Sequence, residues 1–257
     1  MDDLITQVDR FLRKLRRVLP PMGTAHRIKE GLPTNGSVAS YAATDALRIE
    51  LGSPQVGADL VRRALDIVIS ALVLTVLAPL MIVIALLVKR QSLGPAIFTQ
   101  FRLGRGCKPF RFYKFRTMYT DWPTRFPRLA DFRFDPKEMD SVYLQLADDP
   151  RISPLGRFLR NTSLDELPNF WNILRGEMTL VGPRPELPEM LPYYETLEKF
   201  EVKPGVTGMA QICGRGALNF PDTVRLDVDY VRDRSLRLDF RILVGTVRAV
   251  LGQAGAY

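Results

Sequence analysis

Histidine is almost missing from this chain of 257 residues: His26 is the only one. That excludes a multi-histidine metal cage, and it leaves one poorly placed imidazole for acid–base work, inside a Pro/Gly/Ser-rich stretch. Cysteine is nearly as scarce. Cys107 and Cys213 alone cannot build a disulfide framework or a four-thiolate metal site. The pattern GxxxxGK[ST] is absent, and so is GxGxxG after a strand, which excludes the standard nucleotide-binding loops. Any chemistry must rest on carboxylates, cationic side chains or cysteine. Two local absences matter more. No residue from Ile67 to Val88 is charged, and no acid occurs between Lys89 and Tyr119, where there are eight Lys/Arg.

What is present is otherwise ordinary. Hydrophobic residues make up 46% and charged residues 25% of the chain, as in globular proteins. The length suits one sizeable domain, or a domain with an appendage. A mean hydropathy of −0.02 argues against many membrane spans. Lys+Arg 36 against Asp+Glu 28 gives a net charge of +8. That excess leaves nucleic acid, anionic membrane and phosphate-bearing substrates open as partners.

The run IVISALVLTVLAPLMIVIALLV is about as long as a bilayer-crossing helix needs. It lies too far along the chain for a cleavable signal peptide. Its alternative is a buried helix of a soluble core. Arg62 and Arg63 precede it, and Lys89 and Arg90 follow it. Clustered cations favour the cytoplasmic side of a membrane, and here both ends carry them. Pro79, near the middle, removes a backbone donor and bends a helix. A membrane helix over 64–90 that breaks at Pro79 and returns keeps both ends on one side; a straight span does not. Both topologies stay open on these residues, with Ser70 or Thr75 hydroxyls as compensation for the broken backbone.

Residues 4–19 read as a basic amphipathic helix, fit to lie on an anionic membrane surface or to pack on protein. Residues 20–58, rich in Pro, Gly, Ser and Ala, read as a linker. The chain therefore divides into an extension, 1–58, and a main domain, 59–257. Within the acid-free stretch, Ile97, Phe98, Phe110, Phe112, Tyr113 and Phe115 predict a β-hairpin turning at Gly104-Arg105-Gly106. Its basic and aromatic residues suit nucleic acid, lipid headgroups or a diphosphate. Residues 121–147 form a polar connector. Phe240, Leu243, Val244, Val247 and Leu251 form one stripe of a C-terminal helix, expected to rest on the core in preference to a membrane surface.

Ser163-Leu-Asp-Glu166 fits a capping box that opens a helix over 164–175, with Gly176 as its stop. On that reading Asp165 and Glu166 serve only a helix N-terminus. Their surroundings add another possibility. Arg151, Arg157 and Arg160 come before them; Arg184 on the Gly182-Pro-Arg-Pro185 turn, Lys203 of Lys203-Pro-Gly-Val-Thr-Gly208 and Arg215 of Gly214-Arg-Gly216 come after. Cations on rigid turns around two carboxylates suit phosphoryl chemistry, with Mg²⁺ or an aspartyl nucleophile.

The segment RISPLGRFLRNTSLDELPNFWNILRGEMTLVGPRPE resembles the signature of the bacterial sugar transferases, the monotopic phosphoglycosyl transferases. The resemblance runs from about Arg62 to the C-terminus. It includes the apolar run with its proline, Lys114-Phe-Arg-Thr-Met118, SLDELP, GPRPE, KPGVTG and the terminal LDFRIL. It implies a mainly α fold with a small β-hairpin (α+β), a monotopic membrane protein with a re-entrant helix kinked at Pro79 and interfacial amphipathic helices. The implied reaction moves a sugar-1-phosphate from a UDP-sugar to polyprenyl (undecaprenyl) phosphate and releases UMP. It begins exopolysaccharide, capsule, O-antigen or glycoconjugate assembly at the cytoplasmic face of the bacterial inner membrane, among its lipids. By the same resemblance Asp165 is the nucleophile and Glu166 helps hold Mg²⁺; around them the cations Lys114, Arg116, Arg151, Arg157, Arg160, Arg184, Lys203 and Arg215 are the candidate substrate-binding residues. Asn169 stands where many members have Gln, and Ala78-Pro79 where Ser-Pro also occurs. A homodimer is open; nucleic acid is not an expected partner. The contrasting readings are an inactive, membrane-anchored binding protein that recruits assembly enzymes, and a membrane-tethered nucleic-acid binder using 89–119.

Overall fold

In the computed structural model of the chain, residues 55–127, 149–214 and 218–251 are described. The expected helix at 4–19, the linker up to 54, most of the connector and Arg215 lie outside them. The described part is mostly helical with a small antiparallel sheet, the α+β class expected.

Helix α1, Gln55–Val76, starts earlier than the apolar run and takes in residues read as linker. Helix α2, Ala78–Gln91, follows after Leu77, and the two are bent by 61°. Pro79 sits in the first turn of α2, where a missing N–H costs least. Leu77 N donates to Val73 O (2.9 Å) and Met81 N to Leu77 O (2.8 Å), so backbone bonding continues on both sides of the break. The hydroxyl compensation expected of Ser70 is not made: its Oγ is buried with no hydrogen-bond partner among the described residues. Among the described residues no single helix is long and apolar enough to cross a membrane; only the bent pair together has the length and composition. Val68, Leu72, Val76, Ile82 and Leu86 remain exposed on it. Ile84 and Val88 turn inward instead, onto Phe115, Leu159 and Leu167.

The hairpin forms as the sequence predicts. Strand β1, Ile97–Leu103, pairs antiparallel with β2, Pro109–Phe115, in register Ile97↔Phe115 to Leu103↔Pro109. Gly106 takes φ 65° in the connecting turn, a conformation glycine adopts without a Cβ penalty. Facing residues across a ladder point the same way. The even-numbered residues, from Phe98 with Lys114 to Arg102 with Phe110, therefore share one face. Phe110 and Phe112 use that face to join Ile173, Met178, Leu180, Val181, Tyr230 and Ile242 in the main core.

Helix α3, Pro154–Asn161, has Ser153 as its N-cap, whose Oγ accepts from Gly156 N at 2.9 Å. Helix α4, Asn169–Arg175, ends at Gly176 in the left-handed region, φ 78°, the stop that the sequence predicts. Strand β3, Thr179–Val181, runs parallel to β4, Gly205–Thr207. Three helices follow: α5, Met209–Gly214; α6, Phe220–Arg232; and α7, Leu236–Leu251.

Helix α7 corrects one expectation. It turns Asp239 and Ile242 to the core and leaves Phe240 and Val247 exposed, at 68% and 58%. The apolar stripe that the sequence would lay on the core is split. Asp239 owes its burial to Arg62, whose Nε donates to Oδ2 at 2.6 Å, and to Tyr230, whose hydroxyl lies 2.7 Å from Oδ1. A buried carboxylate with such partners is retained where an unpaired one would not be.

Candidate active site

The two carboxylates stand on a turn that is not the start of a regular helix. Ser163 adopts φ 58° and ψ 15°, and its side chain makes no capping hydrogen bond. Leu164–Glu166 form a single 3₁₀ turn, and α4 starts only after Pro168. The continuous helix over 164–175 and the capping box are therefore corrected. Pro168 has no N–H for an unbroken ladder, and a left-handed Ser163 lacks the extended backbone of an N-cap residue. Leu164 and Leu167 pack into the cluster around Ile84 and Val88, which fixes the turn against α2.

On this turn Asp165 is buried at 6% exposure, and Glu166 is half-buried. Neither carboxylate accepts a hydrogen bond from a side chain among the described residues, and neither forms an ion pair there. Burial first, then the adjacent Glu166, pushes the Asp165 carboxyl up to about 7, against the pull of Lys114, Arg160 and Arg184. Burial pushes the Lys114 ammonium down to about 8; Arg160 adds repulsion, and Asp165 and Glu166 oppose it. Desolvation also lowers Arg160, with Asp165 and Asp149 pulling the other way. Lys114, Arg160 and Arg184 are thus the cations whose charge acts on Asp165.

Each of these cations has a local reason for its place. Gly156 presses α3 against residue 117: a Cβ there would lie 2.0 Å from the Thr117 carbonyl oxygen. One turn on, Arg160 Nε reaches Thr117 Oγ1 at 3.0 Å. Lys114 sits on the even-numbered face of the hairpin, opposite Phe98 and 5.6 Å from that ring's centroid. Arg184 follows β3 on its rigid turn, where Gly205 N donates to Pro183 O and Gly182 N to Thr207 O, both at 2.9 Å.

Other expected site residues lie elsewhere. Arg116 is 8% exposed and closes the C-terminus of α2, donating to Leu93 O (2.9 Å), Ser92 O (2.7 Å) and Val88 O (3.2 Å). Both terminal nitrogens are engaged with these carbonyls, so the structure gives Arg116 a capping role at the end of α2. Lys203 feels Arg63, Asp66, Arg105 and Arg234 in place of the dyad; KPGVTG contributes β4, which props the Arg184 turn. Arg151 is held by Asp149 in a two-pronged pair (2.6 to 3.0 Å) and lies over Trp122; it reaches the site through Arg160. Arg157 is exposed on α3.

A model of the family "bacterial sugar transferase" matches residues 57–253. The chain belongs to the bacterial sugar transferase family. It is 38% identical over 231 residues to UDP-glucose:undecaprenyl-phosphate glucose-1-phosphate transferase of Caulobacter vibrioides, over 84% of this chain and 79% of that protein. It is 40% identical over 199 residues to the uncharacterized sugar transferase EpsL of Bacillus subtilis, covering 76% of this chain and 90% of that one. Against galactosyl transferase CpsE of Streptococcus agalactiae the identity is 41% over 170 residues, 65% of this chain. The match spans only 37% of that relative's length.

In this sugar transferase the sequence reading missed two sets of residues. Arg102, on the same hairpin face as Lys114, donates to Pro185 O at 3.3 Å and to Gln100 Oε1 at 3.2 Å. Strand parity across the hairpin was the signal that could have found it. Behind the Arg184 turn, Lys199 is almost fully buried between Asp227 (3.0 Å) and Glu186 (3.4 Å). Tyr194 donates to Glu186 Oε2 at 2.5 Å. Despite burial, Lys199, Tyr194 and the Leu187 amide hold the Glu186 carboxyl below its ordinary value. These residues are distant in sequence and carry no motif.

Proposed function

We propose that this chain transfers a sugar-1-phosphate from a UDP-sugar to polyprenyl phosphate and releases UMP. The observation that carries this reading is Asp165: buried, without a hydrogen-bonding side chain among the described residues, and ringed by Lys114, Arg160 and Arg184. Such a carboxylate is a poor structural anchor and a good nucleophile once ionised. The names of relatives point the same way, as with undecaprenyl-phosphate galactose phosphotransferase of Salmonella typhimurium, 38% identical over 233 residues.

In the first step an Asp165 carboxylate oxygen bonds to the β-phosphorus of the UDP-sugar. The bond from that phosphorus to the bridging oxygen breaks, and UMP leaves with the electron pair. In the second step an oxygen of polyprenyl phosphate attacks the same phosphorus. The Asp165–phosphorus bond breaks, the carboxylate is regenerated, and the lipid carries a diphosphate-linked sugar. Lys114, Arg160 and Arg184 offset the charge that gathers on the phosphoryl oxygens. The unclaimed carboxylate of Glu166, beside substrate phosphates, suits Mg²⁺, which takes one or two carboxylates and phosphate oxygens. Bound there, Mg²⁺ would neutralise diphosphate charge.

The bent α1–α2 pair, with its exposed apolar face and cations at both ends, supports a re-entrant insertion from the cytoplasmic face of a bacterial inner membrane. There the lipid phosphate lies at headgroup level while its tail stays in the bilayer. Topology is tested in a Cys213→Ser background with Leu60→Cys and Ser92→Cys. Labelling of both from one face is expected; labelling from opposite faces refutes the re-entrant insertion. Chemistry is tested with Asp165→Asn and a panel of UDP-sugars. Loss of UMP release and of label transfer to polyprenyl phosphate is expected. Near-normal turnover would remove Asp165 as nucleophile, and no UMP from any sugar with the unsubstituted protein would favour a binding protein.

A further inference from the structure

The even-numbered face of the hairpin carries two cations, and the proposed chemistry so far uses one. Lys114 and Arg102 stand at its two ends, Lys114 opposite Phe98 and Arg102 opposite Phe110. Arg102 lies four residue steps along the strand from Phe98, on the order of 13 Å along the ladder. That is longer than one phosphate group and close to the scale of a diphosphate with its substituents.

Arg102 is held rather than loose. Its Nε donates to Gln100 Oε1, its Nη1 to Pro185 O, and its guanidinium lies 5.6 Å from the Phe112 ring centroid. The neighbouring backbone is fixed too, since Leu103 N donates to Glu186 O at 2.7 Å. These contacts use the guanidinium's Nε edge and one terminal nitrogen. None of the described side chains forms a salt bridge with it.

The charges around the site fall on two sides. Lys114 and Arg160 act on Asp165. The strongest charges on Arg102 are Arg184, then Glu186, Glu189 and Glu166. Arg184 is common to both sides. Arg102 is thus braced beside the Arg184 turn through Pro185 O, at the other end of the hairpin face from Lys114.

Displacement at phosphorus is in line, with entering and departing oxygens on opposite sides. In the first step Asp165 enters, so the UMP phosphate must leave on the side away from it. In the second step Asp165 departs, so the lipid phosphate must enter from that same side. One anion subsite opposite Asp165 then serves two different phosphomonoesters in turn.

We propose that Arg102, beside Arg184, forms this shared subsite and holds first the phosphate of departing UMP and then the phosphate of the entering polyprenyl phosphate. The inference rests on the proposed transferase reaction. A guanidinium suits the task because its planar fork pairs with phosphate oxygens in two-pronged fashion.

The test uses the full chain in nanodiscs with Arg102→Met and Arg102→Lys. UMP binding is measured by calorimetry, and KM for a short-chain polyprenyl phosphate by label transfer. A charged hydrogen bond lost to phosphate predicts that Arg102→Met weakens UMP binding and raises the lipid-phosphate KM, each about tenfold or more. Arg102→Lys is expected to recover part of both. UMP is expected to compete with polyprenyl phosphate in the unsubstituted enzyme.

Unchanged UMP affinity in Arg102→Met overturns the assignment. Weakened UMP with an unchanged lipid-phosphate KM overturns the sharing. A lowered melting temperature with loss confined to kcat, unrelieved in Arg102→Lys, means that Arg102 only braces Pro185, and overturns it too. If Arg102→Met does not fold, Gln100→Leu takes its place. That change frees the guanidinium without removing it, and is expected to weaken both phosphates by a smaller factor; no change in either overturns the assignment. No UMP release by the unsubstituted protein would instead remove the transferase reading, and this inference with it.

Discussion

Arg63 Nη1 donates to the Ile173 carbonyl at 2.6 Å, and its Nη2 donates to Leu174 O at 2.8 Å. Ile173 and Leu174 are in the last turn of α4, whose first residue lies three positions beyond Glu166. A cation there satisfies orphan carbonyls and complements the helix dipole. Its other end sits in α1, where neighbouring Arg62 and Asp66 bind Asp239 and the β3 residues Thr179 and Leu180. The basic residues that read as membrane flanks therefore tie the apolar helix to the element next to the dyad.

Arg63→Met is expected to cost about 1–3 kcal/mol of stability, since two charge-assisted hydrogen bonds are lost. Loosened α4 packing should lower kcat more than it raises the UDP-sugar KM. Thermal melts and steady-state kinetics check this, and Arg63→Lys should recover part of the loss.

Arg116 and Arg160 separate a cap from a site. Arg116→Met leaves the Val88, Ser92 and Leu93 carbonyls without their donor, and is expected to cost about 2–4 kcal/mol. Enzyme that remains folded should keep its substrate KM. Arg160→Met should do the reverse: a small loss in melting temperature and a fall of about a hundredfold in kcat.

The raised Asp165 carboxyl gives a pH signature in metal-free protein. Its unfolded form releases a proton near the ordinary value of 3.8, and its folded form only near 7. Between these values the folded state holds the extra proton, so stability falls as pH rises through that window. Asp165→Asn is expected to abolish this slope. At pH 8 it should be more stable than the unsubstituted protein by on the order of 1–3 kcal/mol. Denaturant titrations from pH 4 to 8 measure it.

Lys199 lies between Glu186 and Asp227, all buried. Lys199→Met strands two buried acids and is expected to cost about 3–5 kcal/mol. Combining it with Glu186→Gln and Asp227→Asn should restore most of that loss. Chemical denaturation of the two variants checks the prediction, and UDP-sugar turnover shows whether the Arg184 turn recovers too.

Much of this site is legible along the chain because its parts carry short-range signals. The broken apolar run, the Gly104–Gly106 turn, the Gly176 stop and the Asp165–Glu166 pair each declare themselves within a few residues. Arg116 misleads for the same reason. It lies two residues from Lys114 in a basic run, and nothing local shows that α2 ends where its guanidinium can take three carbonyls. Ser163 misleads too, since a capping pattern says nothing of the left-handed φ that the residue adopts.

The sequence alone determined the local elements and the chemical vocabulary: an apolar run interrupted by proline, a basic hairpin, and two carboxylates amid arginines with almost no histidine. Periodicity, proline and glycine act locally, so they can be read locally. Only the tertiary structure decided which cations meet the dyad. Lys114, Arg160 and Arg184 come from a strand, a helix and a turn that converge because Gly156 and Gly205 allow close backbone approach. Arg116 and Lys203 are drawn away by carbonyls and by α1. Burial of Asp165, which raises its carboxyl, depends on the packing of Leu164 and Leu167 against α2. That packing joins residues some eighty positions apart, a distance at which sequence pattern carries no signal.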